Sequence, residues 1–197
     1  MRGECCVSPH DLIVKLNGYP PWAQLDARDR SRAFEAISSL SDIFRCAGTE
    51  GRRSITEGLS ESAKYLMSFY SLDRAAEGRR TGSKDVITAG LVPVVMAGGR
   101  SDTRTGGLLL SLLLNSAERS GLDGHALFAD AAQLATSEAS RAQIRGFPSL
   151  PPELRGIARF GFRERQTPAG VVYEEPGQWM VRPRWWDKLL GLRRAER

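Results

Sequence analysis

Leu108-Leu109-Leu110-Ser111-Leu112-Leu113-Leu114 places six leucines in seven consecutive positions, within a segment running from Asp102 to Arg119. At about 100° per residue these leucines cover most of a helix's circumference, and a helix apolar all round is buried among neighbours. The run is far too short to cross a bilayer, which takes about 20 apolar residues. It predicts a central helix with other helices packed around it.

Toward the N-terminus, Ser83 opens a segment with Val86, Ile87, Leu91, Val94 and Val95 as its apolar positions. Pro93 removes one backbone donor there, so the spacing predicts a kinked helix, with an edge strand through Val-Pro-Val-Val as the alternative. Ser54-Ile55-Thr56-Glu57 has the capping-box spacing and predicts a helix start, with Leu59, Ala63, Leu66, Met67 and Tyr70 as the stripe that follows. Between Arg30 and Arg45, Phe34, Ile37, Leu40, Ile43 and Phe44 recur every three or four residues and form one helical face. Gly48 is placed to end that helix as a left-handed cap.

Toward the C-terminus, Gly121 ends the leucine helix and Asp123 caps the next, with Ala126, Leu127, Ala131 and Leu134 as its stripe. Ser137 restarts a short helix that closes near Arg145. Short links predict that successive helices pack antiparallel. Past Gly146 the texture changes to a proline bend, Phe147-Pro148-Ser149-Leu150-Pro151-Pro152-Glu153, and a short helix through Ile157. Alternating residues at 160–165 and 171–175 flank Thr167-Pro168-Ala169-Gly170, the pattern of a β-hairpin. An isolated hairpin is marginal in water, so it is expected to lean on the helices.

The fold expected is therefore mainly α, an antiparallel helical array (a bundle or short solenoid) with a small C-terminal β-hairpin. Residues 1–29 read as an irregular N-terminal segment around Tyr19-Pro20-Pro21-Trp22, and 30–147 as the helical domain. The proline bend and hairpin occupy 148–178, and a basic, tryptophan-containing tail occupies 179–197.

The chain has 197 residues, 41% hydrophobic and 26% charged, a balance that supports a globular core and excludes a disordered, collagenous or disulfide-stapled chain. Its charge is uneven. Residues 141–197 hold 12 basic and 6 acidic side chains, net +6, while residues 1–140 are near neutral at −1. Cys5, Cys6 and Cys46 make an odd count with an adjacent pair, which is no disulfide framework. With no apolar stretch after Met1, a reducing, cytoplasmic location is expected.

Glu50-Gly51-Arg52-Arg53-Ser54 and Glu77-Gly78-Arg79-Arg80-Thr81 are nearly the same pentapeptide, each read as a polar turn ahead of an apolar helical pattern. From about Ser54 to Phe147 the chain resembles α-helical repeat proteins of the HEAT and armadillo kind. The resemblance is one of architecture, covers about half the chain, and implies stacked helices but no functional residue.

Residue types that carry chemistry are few and scattered. His10 and His125 are the two histidines, and neither lies in a His-Glu-x-x-His or Cys-x-x-Cys setting. Cys46 with a distant His125 would be the one nucleophile–base pairing, although a cysteine closing an amphipathic helix is ordinarily core. Asp123-Gly124-His125 reads as a cap. Gly78-Arg79-Arg80-Thr81-Gly82-Ser83-Lys84 has the order Gly-Ser-Lys where a phosphate loop ends Gly-Lys-Ser/Thr. Asp42, Glu57, Glu61, Asp85 and Asp130 lack the Glu-x-x-His pattern of di-iron bundles. No catalytic residue, metal ligand or cofactor is nominated.

Two binding sites are. Trp185, Trp186 and Leu189 among Arg182, Arg184 and Lys188 combine apolar area with positive charge, the composition of protein-binding hot spots and also of interfacial segments that lie on anionic membranes. Arg52, Arg53, Arg79, Arg80 and Lys84 are candidate anion ligands. The function expected is a non-enzymatic protein-interaction module of the adaptor, regulatory or immunity type. Nucleic-acid or polyanion binding, peripheral membrane contact and an enzyme site within the helices are the alternatives.

Overall fold

The computed structural model describes residues 8–99 and 104–150 (backbone alone for 104 and 105), with the backbone of 163–167 and 170–174. Eight helices occupy the described residues: α1 Pro9–Asn17, α2 Ala27–Cys46, α3 Thr49–Gly58, α4 Glu61–Thr81, α5 Lys84–Met96, α6 Arg104–Arg119, α7 Gly124–Ala132 and α8 Glu138–Gly146. The chain is mainly helical, as the periodicities predict.

Local chemistry sets most of the helix starts. Ser8, Asp26, Ser60, Ser83, Asp123 and Ser137 each accept a hydrogen bond from the backbone amide three residues on, satisfying one donor that the first turn leaves unpaired. Three of these caps, Ser83, Asp123 and Ser137, are the ones expected. The capping box at Ser54 is not formed. Ser54–Glu57 lies inside α3, and the long helix that follows starts six residues later at Ser60. A capping residue needs extended backbone, which Ser60 has (φ −68°, ψ 160°), whereas Ser54 already sits in helix. Gly48 is likewise not a left-handed cap. Its φ is −71° and it precedes α3 as that helix's N-cap, while Ala47 closes α2. Left-handed glycines follow α4 (Gly82, φ +67°), α5 (Gly98, φ +106°, and Gly99, φ +60°) and α6 (Gly121, φ +69°).

The two Glu-Gly-Arg-Arg pentapeptides are not turns. The first lies within α3 and the second forms the last turns of α4. α5 runs unbroken through Pro93, so the edge-strand alternative falls. The segment 1–29 is not irregular throughout, because α1 and a 3-10 turn at Trp22–Gln24 lie within it. Leu12, Leu16 and Leu25 from this segment are buried in the core.

All six leucines of 108–114 are buried, as a helix enclosed by neighbours requires. They join Ile37, Leu40 and Phe44 of α2, Leu66 and Met67 of α4, Ile87, Leu91 and Met96 of α5, Phe128 of α7 and Ile144 of α8 in one continuous core. On the stripe expected for α7, Leu127 and Ala131 are buried but Ala126 is exposed, and Phe128, unread in the sequence, is fully buried against Phe147.

α4 and α5 share the most extensive contact, and their approach is set by small residues. A Cβ on Gly90 would stand 2.7 Å from Leu113 Cδ2 and 3.0 Å from Arg74 Cβ, and one on Gly78 only 2.5 Å from Ile87 Cγ1. Glycine lets the two backbones close to a distance that alanine would not allow.

Arg163–Thr167 and Gly170–Glu174 pair as antiparallel strands, from Arg163 opposite Glu174 to Thr167 opposite Gly170. The turn at 168–169, the helix expected near Ile157, the packing of the hairpin on the helices and the tail 179–197 lie outside the described residues.

Candidate binding cleft

Residues Glu61, Lys64, Ser68 and Ser71 recur at three- and four-residue spacing and so lie along one face of α4. That face forms one wall of a cleft of about 220 Å³. Pro93, Val94 and Ala97 from α5 and its cap, with Gly106 and Leu109 of α6, form the opposite, apolar wall. Met67 and Tyr65 complete the lining. A polar edge faced by an apolar one is the usual build of a site for a small, partly apolar molecule.

The polar wall is graded from end to end. At the mouth the Lys64 ammonium holds Glu61 Oε1 at 2.8 Å, with the Glu61 carboxylate side chain 90% exposed and that of Lys64 26%. An exposed pair of this kind is weak and exchangeable. Ser68 donates its hydroxyl to the Lys64 carbonyl at 3.3 Å. Ser71 lies fully buried, and its Oγ meets neither a donor nor an acceptor. Tyr65 sets its ring edge-on to Phe69 at 5.1 Å, and burial raises its phenol pKa above the ordinary 10.0. The neutral phenol is thus held at the cleft wall well into alkaline pH.

An aromatic run leads away from the cleft. Phe69 stacks on Trp22 at 4.4 Å, Trp22 stacks on Phe34 at 5.4 Å, and the Arg30 guanidinium sits over the Trp22 ring at 4.7 Å. Trp22, Phe34 and Tyr65 are each only partly buried, so this run reaches the surface. The sequence offered Tyr19-Pro20-Pro21-Trp22 as a landmark, but nothing local says that Trp22 meets α2 and α4.

Arg52 belongs to the scaffold. Its guanidinium donates to the carbonyls of Phe44 (3.0 Å) and Arg45 (2.9 Å) at the end of α2, and to Gln133 (3.3 Å) beyond α7. Those carbonyls lie at helix ends, where the regular ladder leaves acceptors unpaired. Arg53 pairs with Glu50 at 2.9 Å, and Arg80 lies 3.8 Å from Glu77, which also holds Arg74 at 2.6 Å. Arg79 lies half-buried on the last turn of α4, and Lys84 is exposed on the first turn of α5. The five cations nominated in the sequence therefore sit on three helices, and four of them on helix backbone that had read as turn.

Cys46 and His125 are both exposed. Among the described residues no group of three or more His, Cys, Asp or Glu is placed to hold a metal ion, and no helix is long and apolar enough to cross a membrane. Trp185, Trp186, Arg182, Arg184, Lys188 and Leu189 lie outside the described residues. Comparison of the chain with protein-family models, with curated proteins and with solved structures finds no match.

Proposed function

We propose that this chain is a non-catalytic helical module that binds another protein, in the manner of an adaptor, regulatory or immunity-type protein. The observation that carries the reading is the surface-reaching run Phe34, Trp22, Phe69 and Tyr65 with Arg30 above it. Large aromatic rings and arginine supply most of the energy in protein interfaces: the rings bury much area at little cost in rotamer entropy, and the guanidinium offers a planar fork of hydrogen-bond donors. The second contact is the basic segment with Trp185 and Trp186, to which Arg182, Arg184, Lys188 and Leu189 add charge and apolar area. Residues 163–174, as a hairpin leaning on the stacked helices, would link the two.

Co-purification of the full chain, of a version ending at Gln178, and of Arg30→Ala with Trp22→Leu tests the proposal. A protein retained by the full chain and lost from either altered version is the expected result. Nucleic acid that co-purifies and is stripped by moderate salt would favour the polyanion alternative, since counterion release makes such binding steeply salt-dependent. Clean, monomeric protein in every case would overturn the interaction reading.

A further inference from the structure

We propose that the cleft between α4, α5 and α6 binds a small apolar molecule carrying a carboxylate at one end and a hydroxyl at the other. This site adjoins the aromatic surface above, with which it shares Tyr65, and its ligand is a small molecule and not a protein partner.

A serine within a helix ordinarily returns its hydroxyl to the carbonyl four residues back, as Ser41 does to Ile37 (2.7 Å) and Ser116 to Leu112 (2.8 Å). Ser71 makes no such bond although it is fully buried, and an unpaired buried hydroxyl is a standing cost to the fold. Thr88, Ser111 and Asn115 also bury unpaired oxygens, but none of these lines the cleft. Ser71 does, and its idle hydroxyl, closed off from solvent in this structure, is the one of these that a shift of the cleft lining would open to a bound molecule. Met67 lines the same floor, and its unbranched side chain supplies the give that lets a ligand oxygen reach Ser71 Oγ.

The other end of the ligand follows from Lys64. Seven residues separate Lys64 from Ser71 on one helical face, about 10 Å along the axis. Lys64 is three-quarters buried at the mouth and, among the described residues, pairs with Glu61, whose carboxylate stands almost wholly in water. A ligand carboxylate can take the place of Glu61 and leave it hydrated at little cost. Between the two polar ends, Val94, Pro93 and Leu109 offer apolar contact and no hydrogen-bonding side chain. The volume, about 220 Å³, lies below the usual range of pockets for drug-sized ligands and selects a slender molecule.

The probes are 8-hydroxyoctanoate, octanoate and 1-octanol, titrated into the full chain and followed by calorimetry and by amide chemical shifts. The expected result is saturable, one-to-one binding with the hydroxy acid tightest, and shifts centred on residues 64–71 and 93–97. Ser71→Ala should lower the affinity for the hydroxy acid about two- to tenfold, to that of octanoate, and leave octanoate unaffected. The same variant should melt at a higher temperature than the parent. Lys64→Met, a change at the cleft mouth that removes only the pair with exposed Glu61, should weaken both acids about threefold and leave the alcohol unchanged. Absence of saturable binding, shifts located elsewhere, or affinities that neither variant alters would each overturn the proposal.

Discussion

Arg52 hydrogen-bonds three main-chain carbonyls contributed by the ends of two helices, so its replacement is felt by α2 and α7 together. Arg52→Ala should destabilise the protein by about 2 kcal/mol, and Arg52→Lys should recover less than half of that, because a single ammonium cannot reproduce the planar fork. Arg53→Ala, which removes only an exposed pair with Glu50, should stay within about 0.5 kcal/mol. Guanidinium unfolding curves of the three variants check the order. Tyr65 makes a pH prediction. Burial raises its pKa above 10.0 in the folded state, so the folded protein binds this proton more tightly than the unfolded chain. That stabilisation is fully present below pH 10 and is lost as the pH rises through the folded-state value. Tyr65→Phe should therefore lessen the fall in melting temperature between pH 9.5 and 11, and leave the slope between pH 7 and 9 as it is. Neither residue's part was open to sequence reading: Arg52 reads as a candidate anion ligand, and Tyr65 falls outside the apolar stripe of its helix.

At the scale of the element, the α4–α5 contact is decided by what is missing. Gly90→Ala would drive a methyl to 3.0 Å from Arg74 Cβ, an atom fixed to the α4 backbone, as well as to 2.7 Å from the tip of Leu113. The leucine can turn aside but the Arg74 Cβ cannot, so the helices must part. A loss of about 1–3 kcal/mol is expected, despite alanine's better helix propensity, and thermal unfolding measures it. The helices themselves were legible where an apolar stripe met a capping residue, as at Ser83, Asp123 and Ser137. At Ser54 the same logic misled. Its capping-box letters are correct, but Gly48 and Thr49 had already started a helix upstream, and a residue in helical backbone cannot cap.

For the whole molecule, α1 is the element whose importance the sequence concealed. Leu16 is fully buried, and Asn17 ties α1 to the junction of α3 and α4, donating Nδ2–H to the Gly58 carbonyl and accepting from the Ser60 amide, each at 2.9 Å. Removing residues 1–18 should uncover apolar surface on α2, α3 and α4 and lower the denaturant midpoint sharply. The point variant Leu16→Ala should alone cost about 2–5 kcal/mol. If the shortened chain unfolds at the same midpoint as the full one, α1 is no part of the cooperative unit. The hydrogen bonds of Asn17 span 41 and 43 residues of sequence, which is why no local pattern announces them.

The sequence by itself determined the helical character of the chain, the burial of the leucine segment and half of the helix caps. Each depends on periodicity or on a partner within four residues, and such interactions are written in adjacent letters. Tertiary structure alone decided that Arg52 is a fastener, that Trp22 stacks between α2 and α4, that Gly90 sets a helix distance, and that Ser71 stands idle at a cleft. These depend on which distant surfaces meet, and side chains of the same type would serve as solvated charge, loop or core wherever other surfaces met.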